Sequence, residues 1–171
     1  MIKFFMAFLL MMSIIGCSSK GEEPIDVKPK LVLGGTLQNL TLNDQFEKPH
    51  TIKADTQKIV FAFSKDVAHT CNDFFVTKEA DYLAKNHTQF IADVSAAPSL
   101  VRSMFIMPGL KDFKHTVLIL DDETKAAPFR KDAEVEKIII VTINNGTITT
   151  LNTLSTAKEL QEAIENTKQQ F

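Results

Sequence analysis

Lys58-Ile59-Val60-Phe61-Ala62-Phe63-Ser64-Lys65-Asp66-Val67-Ala68-His69-Thr70-Cys71-Asn72-Asp73-Phe74-Phe75 is the stretch on which the fold turns. After Lys58 it opens with an unbroken apolar run of strand length, the pattern of a strand buried on both faces. From His69 the pattern turns helical, carrying Phe74, Phe75, Tyr82 and Leu83 on a segment predicted to run to Asn86. The strand signal returns three times downstream, at Gln89–Val94, His115–Leu120 and Lys137–Ile143. Asn144-Asn145-Gly146 is a hairpin turn signal, and the half-polar Thr147–Leu151 reads as its second, edge strand. Upstream, Leu37–Thr41 and His50–Ile52 read as a strand pair joined by a turn over Asn43–Pro49. Pro98 suits the first turn of another helix that presents Leu100, Val101, Met104 and Phe105, with Pro108-Gly109 as its stop. Thr156 and Glu159 are spaced as a capping box before Leu160, Ala163 and Ile164. Strands alternating with helices in this way predict an α/β domain, a central mixed sheet with helices on both faces.

The chain has 171 residues, and the residues before Cys17 read as a secretory leader. Lys3 supplies the positive end, and Phe4–Ile15 is apolar but for Ser13. That run is shorter than the roughly 20 residues a membrane span needs, and it fits the core of a signal peptide. Lys and Arg number 19 against 21 Asp and Glu, net −2, and loss of Lys3 makes the remainder −3. With no basic run, nucleic acid is not an expected partner. Apolar residues at 44% and charged residues at 23% exclude disorder for the whole chain. Two cysteines exclude a disulfide scaffold and a cysteine-rich zinc module.

Ile14-Ile15-Gly16-Cys17 resembles the bacterial lipobox. The resemblance implies cleavage of residues 1–16 and a diacylated Cys17 as the new N-terminus; the alternative is an ordinary signal peptide with a coincidental cysteine. Residues 17–32 then form a lipidated terminus and flexible tether, polar and carrying Pro24 and Pro29. Residues 33–171 form the folded domain. The expected location is the periplasmic side of a bacterial membrane, with Ser18 leaning towards the outer one. The expected partners are the membrane, through Cys17, and another envelope protein.

The order of elements resembles the thioredoxin-like fold in its peroxiredoxin and thiol-disulfide exchange branch, a three-layer sandwich preceded by a β-hairpin. Residues 40–52 (the turn with Asp44 and Lys48) resemble that hairpin, residues 58–75 the first core strand and active-site helix, and residues 137–165 the terminal hairpin and helix. The family's active-site pattern departs here. Where thioredoxins carry Trp-Cys-x-x-Cys, this chain has no tryptophan, and aligning Cys71 with the second cysteine puts Ala68 in place of the first. The cis-proline before the penultimate strand is replaced by Val135-Glu136-Lys137. The threonine that peroxiredoxins carry three residues before their reactive cysteine is also Ala68. No Gly-x-Gly-x-x-Gly follows a strand, so neither a flavin nor any other cofactor is expected.

Cys71 is the first candidate for chemistry. A predicted helix start with His69 and Lys65 nearby would favour a thiolate; a buried packing residue is the other reading. His69 is a candidate base, with Asp66 three residues before it to orient it. His50, His87 and His115 show no ligand spacing, so no metal site is expected. Asp121-Asp122-Glu123 fits a cation site or a solvated turn. Met104-Phe105-Ile106-Met107 cannot all hide on one helical face, so the helix is either buried nearly all round or offers a partner surface at Met104, Phe105 and Met107. The two functional expectations are a non-catalytic binding or assembly module and, as the alternative, a monothiol redox protein using Cys71 with His69.

Overall fold

The computed structural model describes residues 27–166; the leader, Cys17 and the first part of the tether lie outside the described residues. Seven strands form one mixed sheet in the order β2-β1-β5-β4-β3-β6-β7. They are β1 (Thr41–Asp44), β2 (Pro49–Thr51), β3 (Lys58–Ala62), β4 (Thr88–Asp93), β5 (Leu118–Leu120), β6 (Ile138–Asn144) and β7 (Thr147–Leu154). β3, β4 and β5 run parallel, whereas β1 and β6 join them antiparallel. The apolar run of residue 59 onward is β3, at the centre of the sheet and buried along its whole length. Ile59, Phe61, Ile91, Val117, Ile119, Ile139 and Val141 are all buried. Half-polar β7 is an edge strand, as its alternation predicts.

Alternation along the strands sends side chains to two separate cores. Ile59, Phe61, Ile91, Leu118 and Ile139 point to one face, packed with Leu31, Leu37 and Phe129. Val60, Ala62, Phe90, Ile119 and Ile140 point to the other, packed with Cys71, Phe75, Leu110 and Leu160. Leu31 falls in the stretch the sequence assigns to the tether, yet it is buried, and the Lys30 amide donates to Pro128 O at 2.8 Å. The packed domain therefore includes residues from Lys30 on.

Several boundaries differ from those predicted. The first strand begins at Thr41, because the Leu37 amide is already committed to Gly146 O at 2.8 Å. Helix α1 (Lys65–Val76) starts four residues before His69 and stops before Tyr82, which belongs to a separate turn, α2 (Tyr82–Lys85). Nothing in the sequence from Lys65 to Ala68 breaks a helix, and Ser64, extended at φ −118°, is its N-cap. Pro108-Gly109 does not end the next helix. The chain is helical from α3 (Ser99–Val101) through a π-helical stretch (Arg102–Ile106) into α4 (Met107–Lys111). Proline lacks the N–H for an ordinary helical bond and crowds the preceding turn; a wider π turn just before it accommodates the ring.

Helix α5 (Glu123–Arg130) lies where the sequence gives no clear helical signal, since Pro128 masks it. The capping box of α6 (Ala157–Glu165) is formed: Thr156 Oγ1 accepts from Glu159 N, and the Glu159 carboxylate accepts from Thr156 N. At the β6–β7 turn Asn145 and Gly146 both take positive φ, 49° and 78°, as a tight hairpin requires.

Candidate functional site at the end of β3

β3 delivers its last residues to the start of α1. Phe63 is buried, and Ser64 follows as N-cap without a side-chain cap bond. The Ser64 hydroxyl is buried and has no hydrogen-bond partner among the described residues. Lys65 and Asp66 are exposed, and Val67 turns into the core. No thiol stands in this first turn.

Cys71 is buried, as the packing reading has it, and it stands deeper in the helix than the predicted start implies. It is the seventh residue of α1, about 9 Å along the axis from Lys65. The helix-terminal field fades within the first turn, so it does not reach this sulfur effectively. Cys71 is 0% exposed, in the core that holds Val60, Phe75 and Leu160. Burial pushes its thiol up to about 12, the reverse of what a nucleophile at neutral pH needs.

His69 is exposed, and two residues of helix separate it from Cys71 by about 200° of rotation. The two side chains therefore point in different directions, and the structure does not bring the Cys71–His69 pair together. The cause is the helix start at Lys65. Its register then puts Cys71 on the same buried face as Val67, Phe74 and Phe75.

The other histidines separate into two settings. His50 and His87 line one cleft of about 150 Å³ with Lys53, Asp55 and Gln89, at the N-terminal ends of the parallel strands and away from Ser64. His50 Nε2 pairs with Asp44 Oδ2 at 2.8 Å. His115 is buried instead, with Phe75, Phe90 and Phe113 rings within 6.3 Å of its own. Its Nε2 meets Asn72 Oδ1 at 3.0 Å, and its Nδ1 has no partner among the described residues. Desolvation brings its pKa down to about 4, so it is neutral at physiological pH. Gln45 Nε2 donates to His115 O at 2.8 Å and Gln45 Oε1 accepts from Val117 N at 2.9 Å, fastening the β1–β2 turn to β5. This histidine–amide network went unrecognised in the sequence. The signal was available in the period-2 series His115, Val117, Ile119, which places His115 on a core face.

The acidic cluster divides into structural roles. Asp122 caps α5, accepting from Lys125 N at 3.0 Å and from Thr124 Oγ1 at 2.5 Å. Glu123 pairs with Arg130, which also reaches Asp93 at 3.1 Å. Among the described residues no group of three or more His, Cys, Asp or Glu side chains is placed to hold a metal. Met104 and Phe105 stand in solvent, 58% and 69% exposed, so the helix is not buried all round. Met107 is half-buried against the core.

This architecture is the thioredoxin-like fold, shared with peroxiredoxins and thiol-disulfide exchange proteins. A candidate protein disulfide isomerase from Bacteroides thetaiotaomicron superposes with a TM-score of 0.50 at 14% identity, covering 81% of this chain and 89% of that one. Peroxidoxin BcpB from Mycobacterium tuberculosis gives 0.51 at 16% identity, covering 77% and 93%. A candidate thiol:disulfide interchange protein DsbE from Chlorobium tepidum gives 0.50 at 16%, covering 78% and 95%. Identities this low show a common fold. No family model matches the chain, and no curated protein matches its sequence.

Proposed function

We propose that the chain is a lipoprotein anchored through Cys17 on the periplasmic side of a bacterial membrane, with a thioredoxin-like domain that acts as a non-catalytic binding or assembly module. The observation that carries this reading is the placement of Cys71, fully enclosed, while the first turn of α1 offers Ser64, Lys65 and Asp66 instead of a thiol. A dithiol exchange cycle needs a second thiol to resolve the mixed disulfide. Ala68, at the position that would supply it, has none. Ile14-Ile15-Gly16-Cys17 supports the anchor, since two acyl chains hold a protein to a bilayer where one is marginal.

Membrane partition tests the reading. The wild-type chain should enter the detergent phase with the mass of an acylated Cys17, and Cys17→Ser should be soluble or unprocessed. The purified protein should show no turnover in a disulfide-reduction assay. A Cys17→Ser protein that stays membrane-bound with unchanged mobility would refute the anchor. Turnover that vanishes in Cys71→Ala would refute the non-catalytic module and favour the monothiol enzyme.

A further inference from the structure

His115 is held at both its ring and its backbone. The ring is enclosed by Phe75 of α1, Phe90 of β4 and Phe113 just before it, with centroids 5.2, 6.3 and 5.1 Å away. Asn72 Oδ1 on α1 can only accept, so at 3.0 Å it fixes the ring proton on Nε2 and leaves Nδ1 as the place for a second. Nδ1 is sealed from solvent and has no hydrogen-bond partner among the described residues. The backbone on either side of the ring carries the two buried bonds of Gln45, from Gln45 Nε2 to His115 O and from Val117 N to Gln45 Oε1. Ring and turn are therefore one connected unit.

The surroundings offer a second proton no support. Among the described residues the histidines paired with a carboxylate are His50 and His87, and His115 is not one of them. On α1 the titratable residues flanking Asn72 are Cys71, a buried neutral thiol, and Asp73, which is exposed. Asp112 and Lys114, on either side of Phe113, are exposed as well. Beside the β1–β2 turn Asp44 is committed to His50, and β4 carries no charge from Thr88 to Ala92. An imidazolium in this cage has one acceptor for two N–H groups, so burial disfavours it. The turn fastened by Gln45 has few other ties. β1 meets β5 at two register positions, Asn43↔Ile119 and Asp44↔Leu118, and β2 is the edge of the sheet. Central β3 is paired at five positions with β4 and four with β6.

We infer that His115 is an acid-sensitive latch: a proton taken up at Nδ1 drives the ring out of its cage, and the backbone that moves with it releases Gln45 and the β1–β2 turn while the central strands stay folded. The device belongs to the fold and is the same with or without the anchor at Cys17. Its open form bares the faces of Phe75, Phe90 and Phe113 that the ring covers at neutral pH, so acidification presents an apolar surface that the closed domain hides. Opening of this kind is local because the ties it breaks are few and lie at one side of the sheet. A proton bound in the open form and refused in the closed one shifts the balance between them by the difference in proton affinity.

Amide hydrogen exchange on the full-length chain in detergent micelles, resolved to single residues by fragmentation mass spectrometry at pH 7 and pH 5, tests the latch. The Val117 amide has Gln45 Oε1 as its partner and reports release directly, while Ile139, opposite Phe61 in the centre of the sheet, reports global unfolding. With the ring at about 4 in its cage and 6.5 outside it, the protection of Val117, corrected for intrinsic rate, should fall roughly twentyfold from pH 7 to pH 5. At pH 5 Val117 should exchange faster than Ile139 and be insensitive to low urea, since a local opening exposes little new surface. In His115→Phe the fall should vanish. Val117 protection that is unchanged between the two pH values, that tracks Ile139 with the same urea dependence, or that falls equally in His115→Phe would overturn the latch. If His115→Phe does not fold, the first two of these outcomes decide the matter on the wild-type chain alone.

Discussion

His115 makes the stability of this domain fall as the solution is acidified from near neutrality. In the folded state the ring is enclosed among Phe75, Phe90 and Phe113, and desolvation lowers its pKa from 6.5 to about 4. The unfolded chain therefore binds a proton in a range where the native state does not, and stability decreases as pH falls through that window. Each pH unit of that difference is worth about 1.4 kcal/mol, so between pH 8 and pH 4.5 the loss is roughly 2–3 kcal/mol. Carboxylates act lower down. Asp44 is desolvated by burial, but hydrogen bonds from Lys48, His50 and Phe46 more than offset this and hold its pKa below 3.8. Its contribution is present above that value and fades only as pH drops beneath it. Urea unfolding at half-unit pH intervals reads the effect directly. His115→Phe fits the aromatic surroundings and should be destabilised by a constant amount, because Asn72 Oδ1 loses its partner. Its stability should be nearly flat from pH 7 to 4.5. A wild-type profile without slope in that window, or a His115→Phe profile with the wild-type slope, would refute the reasoning.

Two further substitutions test the packing and the local rules. Ile139→Ala removes a side chain that is 1% exposed on β6, facing Phe61 on β3 and Thr153 on β7, and should cost about 2–5 kcal/mol in denaturant melts; a loss under about 1 kcal/mol would remove Ile139 from the core. Thr156→Ala deletes one half of the α6 capping box and should cost about 1 kcal/mol, with little further loss when Glu159→Gln is added.

The core of the fold was legible because periodicity reports burial. Val60, Phe61 and Ile139–Val141 are apolar at every position, and only a strand covered on both faces uses such a run. Asn145-Gly146 and Thr156–Glu159 were readable because each sits in a conformation that few residue types satisfy. Elements governed by tertiary contacts were not. Helix α5 has two buried residues, Ala126 and Phe129, and a proline inside, so its periodicity is too weak to show. The helix across Pro108 persists only through a π turn, which no local propensity announces. The candidate site suffered most from register: moving the start of α1 from His69 to Lys65 carries Cys71 from a helix terminus into the core and His69 into solvent.

The central claim is that Cys71 is a packing residue, and its alkylation kinetics test this most directly. A thiol raised from 9.0 to about 12 has roughly a thousandfold less thiolate near neutral pH, before steric exclusion is counted. Native protein treated with iodoacetamide from pH 6 to 9, with Cys71 followed by peptide mass, should label at the rate of transient opening, whereas the same chain in urea should label promptly. Rapid native labelling below pH 7, or a sulfenic acid at Cys71 after mild peroxide, would contradict the account and make this cysteine a working nucleophile.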